Sequence, residues 1–276
     1  MQDVIKGLIP HFEKNKLDFL IIGATARDLI SEKAKLKLSP RKTADVDLGV
    51  LVNSWQELDV LRDSFKADPK IKLSKDENNK VRHYYQGTPF DIVPFGGVEK
   101  NGKIQWPPFY DTIMTVTGYK EALTTAVDYD FDGKVVKVIT PEMLVALKII
   151  AWNDKSTRNK DAQDINFLMS SYEDIDKEIY ECLLDSYEDI LEHFDNDSAL
   201  ASIALMGFRI KKFSGDSLVS QIKEVFDNGE KKERFSRNMI KENTIYPEEE
   251  TAKAVLKLNA LIYGLNYVGQ KEASEI

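Results

Sequence analysis

Thr43-Ala44-Asp45-Val46-Asp47-Leu48-Gly49-Val50-Leu51-Val52 alternates acidic with apolar residues and then turns almost wholly apolar. The alternation has the period of an extended chain, so residues 44–52 read as a strand. Its two carboxylates, two residues apart, leave the same face. A hydrophobic strand keeps charge off a buried face, and two like charges side by side are costly unless a cation or a proton is shared between them. Oxygen-rich carboxylate groups suit Mg²⁺, which takes one or two carboxylates together with substrate phosphates. Two aspartates on a solvent-facing sheet surface are also an ordinary arrangement, so the pair carries chemistry only in company.

Three other stretches supply that company. Leu20-Ile21-Ile22-Gly23-Ala24-Thr25-Ala26-Arg27-Asp28 reads as a strand running through glycine and small residues into a helix. Such a junction lets backbone N–H groups approach a phosphate at a helix N-terminus, with Arg27 adding positive charge in the first turn. Phe90-Asp91-Ile92-Val93-Pro94-Phe95 places one acidic residue in an apolar strand. Beside the 44–52 strand, Asp91 completes a three-carboxylate set able to hold two metal ions, the arrangement used for in-line displacement at phosphorus. The third stretch is a helix pair, with Lys148 riding beside an apolar stripe and Asp161 and Asp164 on one face of the next helix. Those residues can form an inter-helix ion pair or hold a nucleotide triphosphate, and both readings stand.

Around these stretches, residues 3–16 read as a helix with Val4, Ile5, Leu8, Ile9 and Phe12 on one face, and residues 24–34 as another. Ser54 is placed to cap a helix over 55–66. Strands are expected at 81–86 and 90–95, joined by a turn at Gly87-Thr88-Pro89, and a hairpin in 123–139 turning at Asp132-Gly133. At Thr140-Pro141 the pattern becomes helical, proline standing at a first helical position. Helices follow at 175–193, 197–213, 217–227 and 248–267. The reading is an α/β domain over 1–139, a mixed β-sheet flanked by helices, followed by an all-α helical domain over 140–276.

The chain of 276 residues has a formal net charge of −8, with 42% hydrophobic and 30% charged residues, the composition of a soluble folded protein. Such acidity excludes a general nucleic-acid coat protein, so phosphate contact is left to local basic clusters: the 31–42 segment with Lys33, Lys35, Lys37, Arg41 and Lys42, then Lys211-Lys212 and Lys231-Lys232 with Arg234. A single cysteine, Cys182, fits a reducing compartment. The N-terminus lacks a signal-peptide pattern and no run reaches the length of a membrane span, so the expectation is a cytoplasmic protein without membrane contact. His11, His83 and His193 show no ligand spacing and read as structural.

In their order, these motifs resemble the nucleotidyltransferase superfamily of DNA polymerase beta, and more narrowly the AbiEii/AbiGii-type nucleotidyltransferases, toxins of type IV toxin–antitoxin pairs. The resemblance spans roughly residues 18–170 and rests on Gly23-Ala24-Thr25-Ala26, Asp45/Asp47, Asp91, Lys148 and Lys160-Asp161-Ala162-Gln163-Asp164. It departs at Ala24, where the family's turn carries glycine or serine, and in the long segment before the aspartates. The resemblance implies an enzyme that binds Mg²⁺ (or Mn²⁺) and a nucleoside triphosphate and transfers nucleoside monophosphate to a hydroxyl. It gives Asp45, Asp47 and Asp91 as metal-binding catalytic residues. Gly23, Ala24, Thr25, Arg27, Lys148, Asp161 and Asp164 become nucleotide-binding residues. The acceptor implied is RNA, especially the 3′ end of tRNA, and the partner a cognate antitoxin. A small-molecule, antibiotic-modifying transferase and a non-catalytic binding protein that keeps the fold are the alternatives.

Overall fold

A computed structural model describes residues 1–36, 43–74, 80–155 and 157–269. The basic segment expected at 31–42 lies outside the described residues from 37 onward. The chain divides into two compact units, Met1–Leu29 with Arg41–Thr140, and Ile30–Pro40 with Pro141–Ile276.

The first unit opens with α1 (Gln2–Asn15), whose Val4, Ile5, Leu8, Ile9 and Phe12 are the buried face read from the sequence. It continues through β1 (Phe19–Ile22), α2 (Gly23–Lys33), β2 (Val46–Val52) and α3 (Trp55–Lys66). Ser54 caps α3, its hydroxyl accepting from the Glu57 amide at 3.4 Å. Next come β3 (Ile71–Leu73), β4 (Arg82–Tyr85), β5 (Thr88–Gly96), β6 (Lys103–Gln105), β7 (Ile113–Thr115), α4 (Tyr119–Thr124), β8 (Val127–Phe131) and β9 (Lys134–Val138). Seven strands form one sheet in the order β3-β4-β5-β2-β1-β9-β8, and β6 pairs with β7 apart from it. The sheet is mixed, since β2–β5 and β1–β9 run parallel while the other pairs are antiparallel.

Two turns show how residue chemistry sets this sheet. Asp132 (φ 55°) and Gly133 (φ 81°) both take the left-handed conformation and close the β8–β9 hairpin where it was expected. The β4–β5 hairpin differs from expectation. Its turn lies at Gln86 (φ 49°) and Gly87 (φ 87°), and β5 starts at Thr88, so Pro89 belongs to the strand rather than the turn. The two-residue left-handed turn matches the twist of the strands it joins, which a longer turn ending in proline does not.

The second unit is helical among its described residues. It holds α5 (Pro141–Asp154), α6 (Asn159–Ser170), α7 (Tyr172–Ile175), α8 (Ile179–Ser186), α9 (Glu188–His193), α10 (Ser198–Phe213), α11 (Asp216–Asp227), α12 (Gly229–Asn238) and α13 (Pro247–Asn266). The single helix expected over 175–193 is broken at Asp176, where the backbone turns extended, and at Tyr187. Helix α12 escapes the sequence pattern because it is mostly charged and buries little beyond Phe235 and Ser236. Helices α10 and α13 cross closely at Gly207 and Gly264. A Cβ on Gly264 would sit 1.8 Å from the Ala204 carbonyl oxygen.

Candidate active site

Strand register builds the site. In the parallel β2–β5 pair, Asp47 lies opposite Asp91, so both carboxylates leave the same face of neighbouring strands. Asp45 stands just before β2, two residues from Asp47. The Thr43 hydroxyl donates to Asp45 Oδ1 at 2.7 Å, and the Thr25 hydroxyl donates to the Asp45 backbone carbonyl at 2.7 Å. Each of the three aspartates offers a carboxylate oxygen, and these oxygens lie within 4.8 Å of one another. At that separation two full charges repel by about 3.5 kcal/mol at an effective dielectric near 20, so the trio needs a counter-cation.

On the other flank of β2, Asp47 pairs with Ile22, the last residue of β1, and the chain turns at once into α2 through Gly23. Gly23 holds φ at 67°, and a Cβ there would come within 2.0 Å of Asp47 Oδ2. The glycine therefore does two things: it takes a left-handed backbone and leaves room for a carboxylate against the turn.

Arg82, on β4 opposite Asp91, is a residue the sequence reading missed. Its Nε donates to Asp91 Oδ1 and its Nη2 to Asp91 Oδ2, both at 2.7 Å, and Nη2 also reaches Asp45 Oδ2 at 3.0 Å. The Asp91 hydrogen bonds, aided by the charge of Asp45, hold its guanidinium well above the usual arginine range. The signal for Arg82 was the hairpin itself. A two-residue turn at 86–87 sets Arg82 opposite Asp91, whereas a turn over 87–89 would set Tyr85 there.

The remaining sequence-chosen residues lie as follows. Ala24 is nearly buried at the start of α2, and Thr25 and Arg27 are fully buried. Thr25 spends its hydroxyl on Asp45, and Arg27 donates from Nε (3.0 Å) and Nη2 (2.6 Å) to Asp28 Oδ1. Asp28 in turn accepts from the Thr43 amide at 3.4 Å. Arg27 was expected to present its charge to phosphate. Its side chain is fully buried, and through Asp28 it links α2 to the turn that carries Asp45. In the helical unit, Lys148 Nζ donates to Asp161 Oδ1 at 2.7 Å and to Asp164 Oδ2 at 2.9 Å, and all three residues are buried. Arg158 also donates to Asp161. Burial alone would raise the Asp161 carboxyl, but the charges of Lys148 and Arg158 outweigh it and hold the group below its usual range.

The basic clusters of the second unit are taken up by local contacts. Lys211 Nζ donates to the Tyr267 carbonyl at 2.8 Å, Lys231 to Asn153 at 2.9 Å and Lys232 to Asn259 at 2.7 Å, while Arg234 lies over the Trp152 ring.

Three carboxylates with no nitrogen or sulfur donor among them make a hard-oxygen ligand set, which suits Mg²⁺ or Mn²⁺ and not a soft metal. A mixed sheet that brings these three carboxylates together defines the class, a sheet with a candidate acidic cation site of the kind that serves phosphoryl chemistry. Residues 18–243 match the family model described as "Nucleotidyl transferase AbiEii toxin, Type IV TA system". The chain belongs to this family and is a nucleotidyltransferase, with a nucleoside triphosphate as the family's substrate. No curated protein matches it.

Solved structures similar to it include the antibiotic-resistance factor ANT(2″)-Ia in solution, with 14% identity and a TM-score of 0.41, covering 70% of this chain and 96% of that one. A crystal structure of ANT(2″)-Ia with adenylyl-2″-tobramycin has 14% identity and a TM-score of 0.41, covering 62% of this chain and 88% of that one. An antigenic nucleotidyltransferase-like protein from Paracoccidioides brasiliensis has 19% identity and a TM-score of 0.42, covering 73% and 92%. Among the described residues, no helix is long and apolar enough to cross a membrane.

Proposed function

We propose that the protein transfers nucleoside monophosphate from a nucleoside triphosphate to a hydroxyl of RNA, the 3′ end of tRNA in particular. In this reading it is the toxin of a type IV toxin–antitoxin pair, acting in the cytoplasm with an antitoxin protein as its partner. The observation that carries the reading is the convergence of the Asp45, Asp47 and Asp91 carboxylates, from the start of β2 and from β5, in a chain of this family.

Asp45, Asp47 and Asp91 are assigned as the ligands of Mg²⁺. Bound there, the cation neutralises phosphate charge and lowers the pKa of an attacking hydroxyl. The protein's own part is positioning. The β2–β5 register fixes Asp47 beside Asp91, and the Thr43 and Thr25 hydroxyls hold Asp45 in line with them. A carboxylate oxygen of the trio accepts the acceptor's proton as its oxygen attacks the α-phosphorus and pyrophosphate leaves. Gly23, Ala24, Thr25 and Arg27, at the start of α2, are assigned to the nucleotide, the turn's amides and the Arg27 charge being suited to its phosphates. No nucleophilic side chain is required, since aligned reactants and balanced charge supply most of the rate. For Lys148, two of three ammonium hydrogens go to Asp161 and Asp164, and the nucleotide-binding role assigns the third to a phosphate oxygen.

The test is incubation with Mg²⁺, each labelled triphosphate in turn, and bulk tRNA. Label in tRNA supports the reading. Label only in an added aminoglycoside replaces RNA by a small-molecule acceptor, and no label in any acceptor, with the fold intact, refutes transfer altogether. Growth arrest on expression, relieved by a neighbouring gene product, tests the toxin role.

A further inference from the structure

The carboxylate trio already has a cation of its own. Arg82 engages both oxygens of Asp91 at 2.7 Å and reaches Asp45 at 3.0 Å, so two of the three metal-ligand candidates are hydrogen-bonded to one guanidinium. Planar two-point binding of a carboxylate is what arginine does best, and here it places a fixed positive charge against the oxygens that a metal ion would use. Lys80, two residues before Arg82, is placed otherwise and donates to the Pro107 carbonyl at 3.1 Å.

We infer that Arg82 is the resident counter-ion of the unloaded trio, and that a divalent cation binds there in competition with it, drawing the guanidinium away from Asp91 and Asp45. This inference rests on the reading of the trio as a metal site. Arg82 keeps 28% of its side-chain surface exposed, so a released guanidinium returns to water instead of a dry interior. A doubly charged ion gains more from three carboxylates than a single guanidinium does, so loading is favourable yet opposed. The unloaded site is thereby protected from charge repulsion, and metal affinity is set lower than three aspartates alone would give. A triphosphate arriving with its metal offers the displaced guanidinium a new two-point anionic partner. Metal and nucleotide therefore strengthen each other's binding through Arg82.

The measurement is Mn²⁺ titration of the full chain, following the free-ion signal by electron paramagnetic resonance, for the native protein, Arg82→Gln and Lys80→Gln. Arg82→Gln is expected to bind Mn²⁺ about tenfold more tightly, as removing a directly paired charge implies. Lys80→Gln is expected to stay within roughly twofold, its charge being placed elsewhere. Equal or weaker binding by Arg82→Gln, beside measurable binding by the native protein, overturns the exchange and leaves the metal site standing. No Mn²⁺ binding by either overturns the metal site and the exchange with it. A second readout needs no variant. The Arg82 Nε–H signal of ¹⁵N-labelled native protein should exchange with water about tenfold faster in saturating Mg²⁺ once its carboxylate partner is lost. An unchanged rate in Mg²⁺-bound protein refutes the exchange.

Discussion

Replacing Gly23 by alanine perturbs the site with a single methyl group, and its cost follows from two structural features. The backbone there has φ 67°, where an L-residue with a Cβ is strained by roughly 1–2 kcal/mol. The new Cβ would also lie 2.0 Å from Asp47 Oδ2 and 2.7 Å from its Cγ, whereas ordinary contact begins at 3.4 Å. Either the carboxylate or the turn has to yield by about 1.4 Å, the gap between those two distances. A displacement on the order of 1 Å at a reacting centre costs about 10²-fold in rate. Gly23→Ala should therefore lose about 10²-fold in nucleotidyl transfer, measured as label moved from an α-labelled triphosphate, and about 1–2 kcal/mol in urea denaturation. The reasoning is refuted by a variant that keeps activity within threefold, because Asp47 would then not need its place against the turn.

Further expectations concern the carboxylates, the buried lysine and the buried histidine. Asp45→Asn should cut transfer by about 10²- to 10³-fold while leaving the melting temperature unchanged or higher, since one of three like charges is removed; full activity would exclude Asp45 from the chemistry. Lys148→Met leaves Asp161 and Asp164 buried without their shared cation and should cost about 3–5 kcal/mol in chemical denaturation, a loss under about 1 kcal/mol speaking against the cluster. His83, stacked on Phe90 and bonded through Nδ1 to the Val81 carbonyl, is pulled down to about 4, chiefly by burial. Its ring stays neutral in the fold while the unfolded chain takes up a proton near pH 6.5, so its contribution is complete above pH 6.5 and drains away as pH falls toward 4. The loss is about 3 kcal/mol across that window, and His83→Gln should flatten that part of the stability–pH curve; an unchanged slope contradicts it.

Much of the first unit was legible because its signals are local and periodic. The buried face of α1, the Ser54 cap and the Asp132-Gly133 turn each follow from a few neighbouring residues. The adjacency of Asp47 and Asp91 was legible only as chemistry: a lone acid in each of two apolar strands is costly unless they share a ligand. What the sequence hid depends on register and on close approach. Shifting the β4–β5 turn by a residue or two moves Arg82 away from Asp91, and sequence alone placed the turn at Gly87-Thr88-Pro89 because proline and glycine dominate turn statistics. Arg27 was read toward phosphate from its place in the first turn of a helix, and its burial was not legible there. Its burial depends on Asp28 and on the Thr43 turn folding back beside it, a contact fifteen positions away along the chain. The polar α12 offers too few apolar residues to be read as a buried element, and the α10–α13 crossing depends on close approach at Gly207 and Gly264.

The central claim is that Asp45, Asp47 and Asp91 together grip a divalent ion. Anomalous diffraction from crystals grown with Mn²⁺ and a non-hydrolysable triphosphate tests it at atomic level. The account predicts manganese density within about 2.2 Å of oxygens from those side chains, with Arg82 withdrawn from Asp91. Well-occupied manganese elsewhere, or none while the triphosphate is bound, would contradict it.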